Sequence, residues 1–262
     1  MKIEKRQVNN GIMQITTLDE RWYEDELKMP DIYFPSSSWI CGYYPKGIQY
    51  YKWLADKGWD EAEQIKTEKG KIGSKVHAGI ETLLRGNPIK MTDKYYNDIK
   101  GIDEEFTPYE WSCLMDFKEW YGLYKPEIML IERSAVNTEI GYGGTIDCVA
   151  KIGEQVYLID WKTSQSIWKS YHLQISSYKH LLPYIEETKH LKLEEVKVAV
   201  LQVGYMKNKI KHWKFTEIPE CMNLFMNAKE FWAEENKNKQ PKQKDYPLEI
   251  KLDKIILKNI NI

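Results

Sequence analysis

A mixed α/β fold with a helical extension on its N-terminal side is what this sequence predicts, on three observations. Residues 47 to 124 place apolar side chains at helical spacing. Residues 127 to 161 switch to β-branched and aromatic runs broken by turn residues. A helical stretch at 166 to 185 then leads into a strongly apolar run at 196 to 205. Helices, three strands, a helix and a strand in that order belong to a mixed α/β domain rather than to a bundle or a sandwich.

Residues 1 to 35 have little periodicity and contain Pro30 and Pro35, so they read as an arm with room for one short strand. Ser36-Ser37-Ser38 can cap the chain that follows. Gly47 to Lys57 and Asp60 to Leu84 are predicted helices, the second with Ile72, Val76, Ile80 and Leu83 on one face. Gly86-Asn87-Pro88 stops it. Met91 to Tyr124 predicts two further helices, the second carrying Trp111, Leu114, Phe117 and Tyr121. Glu127 to Ser134 begins the strands. Ser166 to Ile185 is a predicted helix with Ile167, Tyr171, Ile175, Tyr178, Leu182 and Ile185 along one side and Pro183 bending its end. Val196 to Tyr205 is a strand that Lys211 to Phe215 can pair with, and Cys221 to Ala233 is a closing helix. Lys237 to Lys244 reads as a linker into a weakly alternating tail. The domain organisation expected is an arm (1–35), one domain (36–236, divided into a helical part to 125, a strand-bearing core to 216 and the closing helix) and the tail (237–262).

The stretch from Gly144 to Ser164 is the most informative. Thr145 to Ile152 and Gln155 to Trp161 are strand-like, and Gly153-Glu154 suits a two-residue hairpin turn with glycine first. That turn sets Ile152 against Gln155, and counting back places Asp147 opposite Asp160. Opposed residues share a side of the sheet, with Cβ atoms roughly 5 Å apart. Lys162 falls on the same side because side chains alternate along a strand. Two carboxylates and an ammonium therefore converge. Two facing aspartates repel without a cation, and Ile146, Cys148, Tyr157, Ile159 and Trp161 supply an apolar opposite face, so the pattern points to a metal site with a charged partner rather than a solvated hairpin.

Composition bounds the possibilities. A chain of 262 residues with 42% hydrophobic and 29% charged residues suits one sizeable globular domain. No stretch approaches a membrane span, and Met1 to Asn10 lacks the apolar run of a signal peptide, so an intracellular, cytoplasmic protein without membrane association is expected. Cys41, Cys113, Cys148 and Cys221 are scattered, as free buried thiols would be. The net charge of −1 carries no global signature of nucleic-acid binding, which leaves only a local basic groove for it.

Further motifs lie on predicted helices. His77 has Gly73 four residues before it and Glu81 four after, all on one helix face. A glycine inside a helix costs about 1 kcal/mol relative to alanine, which calls for a reason. Gln174 and Tyr178 share a face of the later helix. The ordered set Gly-x-x-x-His, Gly-x-x-Asp, Asp-x-Lys, Gln-x-x-x-Tyr resembles the PD-(D/E)XK nuclease superfamily, in its RecB-type exonuclease branch. Pro-Ser-Ser-Ser at 35 to 38, Lys-Gly-Trp-Asp-Glu-Ala at 57 to 62 and Trp-Lys-Thr-Ser at 161 to 164 look like its phage and mitochondrial-maintenance exonucleases.

That resemblance implies a restriction-endonuclease-like core, a mixed central sheet flanked by helices. It implies that His77, Asp147, Asp160 and the backbone carbonyl of Trp161 ligate one or two Mg²⁺ or Mn²⁺ ions, with Lys162 as the catalytic lysine. Gln174 and Tyr178 match the motif that holds DNA or braces the site. Glu132 matches an acidic position on the first strand; Glu81 has no firm counterpart in the family, though its helix face allows it to reach a second metal. Relatives with an iron–sulfur cluster carry three closely spaced cysteines after the Gln-x-x-x-Tyr helix; only Cys221 follows here, so no cluster is expected. No Gly-x-x-x-x-Gly-Lys-Ser/Thr phosphate loop occurs.

The chemistry suits the residues. Phosphodiester hydrolysis adds negative charge to an anionic centre; hard divalent cations offset it, and carboxylates are their natural ligands. A free lysine pKa of about 10.4 makes charge stabilisation a better role for Lys162 than proton abstraction. The resemblance thus implies hydrolysis from DNA ends, with single-stranded ends favoured, alongside replication or recombination proteins. An endonuclease would share every ligand. A decayed nucleic-acid-binding module is disfavoured by the intact Asp147, Asp160 and Lys162. Among the ten tryptophans and eighteen tyrosines, Trp161 and Tyr171 lie nearest the site as candidates for base stacking.

Overall fold

The computed structural model describes residues 4–9, 11–17, 20–97, 102–207 and 210–241. Its centre is a five-stranded mixed sheet in the order β11-β10-β9-β8-β7, from β7 (Glu127–Asn137), β8 (Tyr142–Ile152), β9 (Gln155–Lys162), β10 (Val196–Lys207) and β11 (Ile210–Glu217). β9 and β10 are parallel, and the other neighbours are antiparallel. A parallel pair needs a crossover. The connection holds the helix α5 (Lys169–Lys179) and two 3₁₀ turns. The mixed α/β class is as expected.

The hairpin register is the one the turn dictates, from Ile152↔Gln155 to Cys148↔Ile159, and Gly153 takes a φ of 60° that a side chain disfavours. Helices cover both faces. On one, α3 (Trp59–Leu84) and α4 (Pro108–Tyr124) bury Val76, Ile80, Leu114, Phe117 and Trp120 against Cys148, Ile159, Trp161 and Leu201. On the other, α1 (Ser37–Cys41), α5 and α6 (Met222–Glu235) pack Ile40, Leu173, Ile175 and Phe225 on Val149, Leu158, Val198 and Val200. Ser36 caps α1 by accepting from the Trp39 backbone N–H, and Thr107 and Glu110 form a capping box on α4. Ile146 departs from the expected apolar face and joins the α5 side. The alternation resets beside Glu132, whose φ is 43°.

Two expectations are corrected. Residues 1 to 35 are not an arm with one strand. The described residues among them form a four-stranded antiparallel sheet from β1 (Glu4–Asn9), β2 (Ile12–Thr16), β3 (Arg21–Asp25) and β4 (Tyr33–Pro35). These strands pair with each other and rest on the core through contacts such as Trp22 against Trp39 and Trp232, a cluster of edge-to-face rings 5.1 to 6.0 Å apart. The first helix expected between Met91 and Tyr124 is a ribbon instead, Tyr95–Asn97 (β5) paired with Ile102–Glu104 (β6). The helix α2 (Ile48–Lys57) buries none of its residues. Among the described residues no helix is long and apolar enough to cross a membrane. All four cysteines are free and buried. The tail from residue 242 onward lies outside the described residues.

Candidate metal centre

The site lies where β7, β8 and β9 meet α3 and α5, in a cavity of about 1070 Å³. Each side chain is placed by its element. Adjacent antiparallel strands carry Asp147 and Asp160 into the same layer, and α3 crosses the sheet so that His77 reaches the end of β9. His77 Nε2 lies 2.9 Å from the carbonyl oxygen of Trp161. Its Nδ1 lies 3.5 Å from an Asp147 carboxylate oxygen and 4.0 Å from one of Glu132. An Nε2–H donated to the carbonyl leaves the Nδ1 lone pair facing the two carboxylates, the tautomer a metal ligand needs.

Asp147 Oδ2 also accepts the Trp161 backbone N–H at 2.9 Å. The peptide of Trp161 is thus held on both sides, its N–H by Asp147 and the carbonyl by His77. Asp160 is 1% exposed, and its Oδ2 lies 2.5 Å from Lys162 Nζ. That contact is a close ion pair, and it is what the buried Asp160 carboxylate has for a partner. Lys162 Nζ also sits 4.9 Å from the centre of the Tyr171 ring.

The electrostatics are those of crowded acids. Burial, then Asp147, Glu81 and Asp160, push the Glu132 carboxyl up to about 9. Burial also raises Asp160 to about 6; Lys162 opposes that rise, and Asp147 adds to it. For Lys162, burial opposes the charged form, but Asp160 and Asp147 outweigh it and hold the ammonium above its ordinary value. It is therefore a protonated cation at neutral pH. Glu132 adopts left-handed backbone inside a strand, which a non-glycine residue does at a cost of about 1–3 kcal/mol and which marks functional sites more often than ordinary ones.

One ligand atom each from His77, Glu132 and Asp147 lies within 4.8 Å of the other two. Two carboxylates and an imidazole are a donor set that a divalent cation fits. The crowding that pushes up the Glu132 carboxyl is what a positive charge there would relieve. The sequence pointed to His77 and Asp147, and gave Glu132 a less certain place. Asp160 borders the same cavity but faces Lys162, and the Trp161 carbonyl is engaged by His77.

The remaining motif residues act as supports. Gln174 Nε2 donates to Tyr178 Oη at 2.7 Å. A Cβ on Gly144 would lie 2.6 Å from the Tyr178 ring, so that glycine lets the ring lie flat on β8. Glu81 lines the cavity but is held by the Arg85 guanidinium, at 2.9 and 2.7 Å. Gly73 lines it too, and a Cβ there would meet only Thr163 Oγ1 at 3.8 Å, an ordinary contact distance. Trp161 is 1% exposed and packs on Phe117 and Trp120, so it cannot stack a base. Tyr171 keeps its place at the cavity wall.

Sequence reasoning missed one wall. Tyr23 of the N-terminal sheet reaches Thr145 Oγ1 at 3.0 Å and accepts from Gln14, and Arg21 lines the same cavity. Neither Ile12–Thr16 nor Arg21–Asp25 alternates in sequence, so no periodic signal marked this wall. No protein-family model matches the chain, and a search of curated proteins finds no match either.

Proposed function

We propose that this protein is a metal-dependent deoxyribonuclease of the PD-(D/E)XK type, acting from DNA ends and preferring single-stranded ones. The observation that carries the reading is the convergence of Asp147, Asp160 and Lys162 from paired strands with His77 and Glu132 in one cavity. A mixed sheet flanked by helices is compatible with the core that the motif order implies.

In this reading His77, Glu132 and Asp147 hold Mg²⁺ or Mn²⁺, with Asp160 and the Trp161 carbonyl bordering the ion. A bound divalent ion supplies a Lewis acid and an activated water. The chain's own residues do the rest. Lys162 stays charged beside Asp160 and offsets the charge that develops on the phosphate. Glu132 would hold the ion as a carboxylate, in place of the proton that its raised pKa keeps on it without metal. Gln174 and Tyr178 brace β8 under Asp147. Helix α3 forms a wall along which a strand would enter by its end.

The test compares linear with covalently closed circular single-stranded DNA of one sequence in Mn²⁺. Loss of the linear form alone supports an exonuclease. Equal loss of the circle replaces it with an endonuclease of the same chemistry.

A further inference from the structure

Among the described residues the indole of Trp168 makes no hydrogen bond and no ring contact. It is 59% exposed and occupies the N-cap of α5, where it makes no side-chain cap hydrogen bond. Serine, threonine, aspartate or asparagine would serve a helix start better. A large apolar side chain at an exposed capping position breaks two local rules, and such departures concentrate at functional sites.

The loop that presents Trp168 is nevertheless fixed. Gln202, 1% exposed, donates to the Ser164 carbonyl at 2.8 Å. Gln165 donates to the Gly204 carbonyl and accepts from the Met206 backbone N–H, both at 2.8 Å. Tyr109 Oη donates to the Thr163 carbonyl at 3.1 Å. Side chains from β10 and α4, and from the loop itself, thus immobilise residues 163 to 166. A rigid aromatic platform loses little entropy on binding.

Its position specifies the ligand. Trp168, Tyr171, Gln174 and Tyr178 follow at spacings of three, three and four on α5, and all line the cavity that holds Asp160 and Lys162. Trp168 therefore continues the bracing face of α5 outward, past the lysine. On α3, Gly70 lines the same cavity although a Cβ there would meet nothing within 4 Å. A helix-interior glycine is unfavourable, and this one is not required by internal packing. The wall is bare where Lys69 adds charge to it.

We infer that Trp168 is the stacking platform for a base of a single strand held in this cavity. The inference rests on the nuclease reading of the adjoining site and names a residue and a ligand chemistry for it. Bases of a single strand expose their faces to an indole, whereas those of a duplex are already stacked.

Binding of a fluorescein-labelled oligothymidylate, and of the same strand with abasic sites in place of its bases, tests this in Ca²⁺. Trp168→Ala is expected to weaken oligothymidylate binding about tenfold, with Trp168→Phe restoring most of it. Removing the bases is expected to weaken wild-type binding similarly and to leave Trp168→Ala nearly indifferent. In turnover the loss falls on KM more than on kcat. Unaltered affinity in Trp168→Ala, or an equal further loss with the abasic strand, overturns the inference. If the wild type still cleaves, the nuclease reading survives that result. A wild type that neither binds nor cleaves any oligonucleotide overturns both.

Discussion

His77 Nε2 and the Trp161 carbonyl oxygen, 84 residues apart in sequence, meet at 2.9 Å. This contact ties α3 to the end of β9 and aims the other ring nitrogen at Asp147 and Glu132. An ordinary packed histidine has no need of two carboxylates on its free nitrogen. His77→Ala is therefore expected to weaken Mn²⁺ binding roughly 10- to 100-fold, read by calorimetry on the metal-free protein. Wild-type affinity in that variant would make His77 a packing residue.

Glu132 links stability to pH. Its folded-state value is raised from 4.5 to about 9. The metal-free fold therefore keeps a proton that the unfolded chain loses first. The associated stability is complete below 4.5 and is lost as pH rises through about 9. Glu132→Gln is expected to raise the melting temperature of metal-free protein at alkaline pH, by on the order of a few degrees, and to flatten its decline over that window. The same change is expected to weaken Mn²⁺ binding. A variant less stable than wild type near the top of the window would show that Glu132 is not a strained acid.

Asp160 and Lys162 form a largely buried ion pair. Removing one partner leaves the other uncompensated, at a cost of about 3–5 kcal/mol for a fully buried pair and less here, since the Lys162 side chain is 16% exposed. Asp160→Asn and Lys162→Met are each expected to lower the melting temperature, and the double variant to recover much of it. All three lose turnover. Additive destabilisation would show the two charges to be independent.

In the proposed reading Lys162 serves chemistry rather than binding. Its ammonium is held charged by Asp160 and Asp147 against the effect of burial. Lys162→Ala is expected to cut turnover strongly while DNA affinity measured in Ca²⁺ stays close to wild type. Normal turnover with weakened affinity would reverse that assignment.

The hairpin was legible because a two-residue turn leaves one register, which the pairing follows from Ile152↔Gln155 to Cys148↔Ile159; the break in alternation between Ile146 and Cys148 had no such signal. His77 was legible through Gly73, whose presence inside a helix is otherwise unfavourable. The N-terminal sheet was not, because strands of three to six residues carry too few periods to show, and their pairing rests on distant partners such as Trp39 and Trp232. The β5–β6 ribbon was hidden for the same reason. The strain at Glu132 arises from its neighbours and has no local signature. Trp168 escaped notice because exposed aromatics leave no periodic trace.

Degradation of labelled linear single-stranded DNA by wild type and Asp147→Asn, each with Mn²⁺ and with excess EDTA, tests the central claim most directly. Asp147 accepts the Trp161 N–H and is one of the three candidate ligands. Degradation by wild type in Mn²⁺ alone, with none by the variant, is the result expected. Undiminished degradation in EDTA, or by Asp147→Asn in Mn²⁺, would contradict the metal centre on which the account rests.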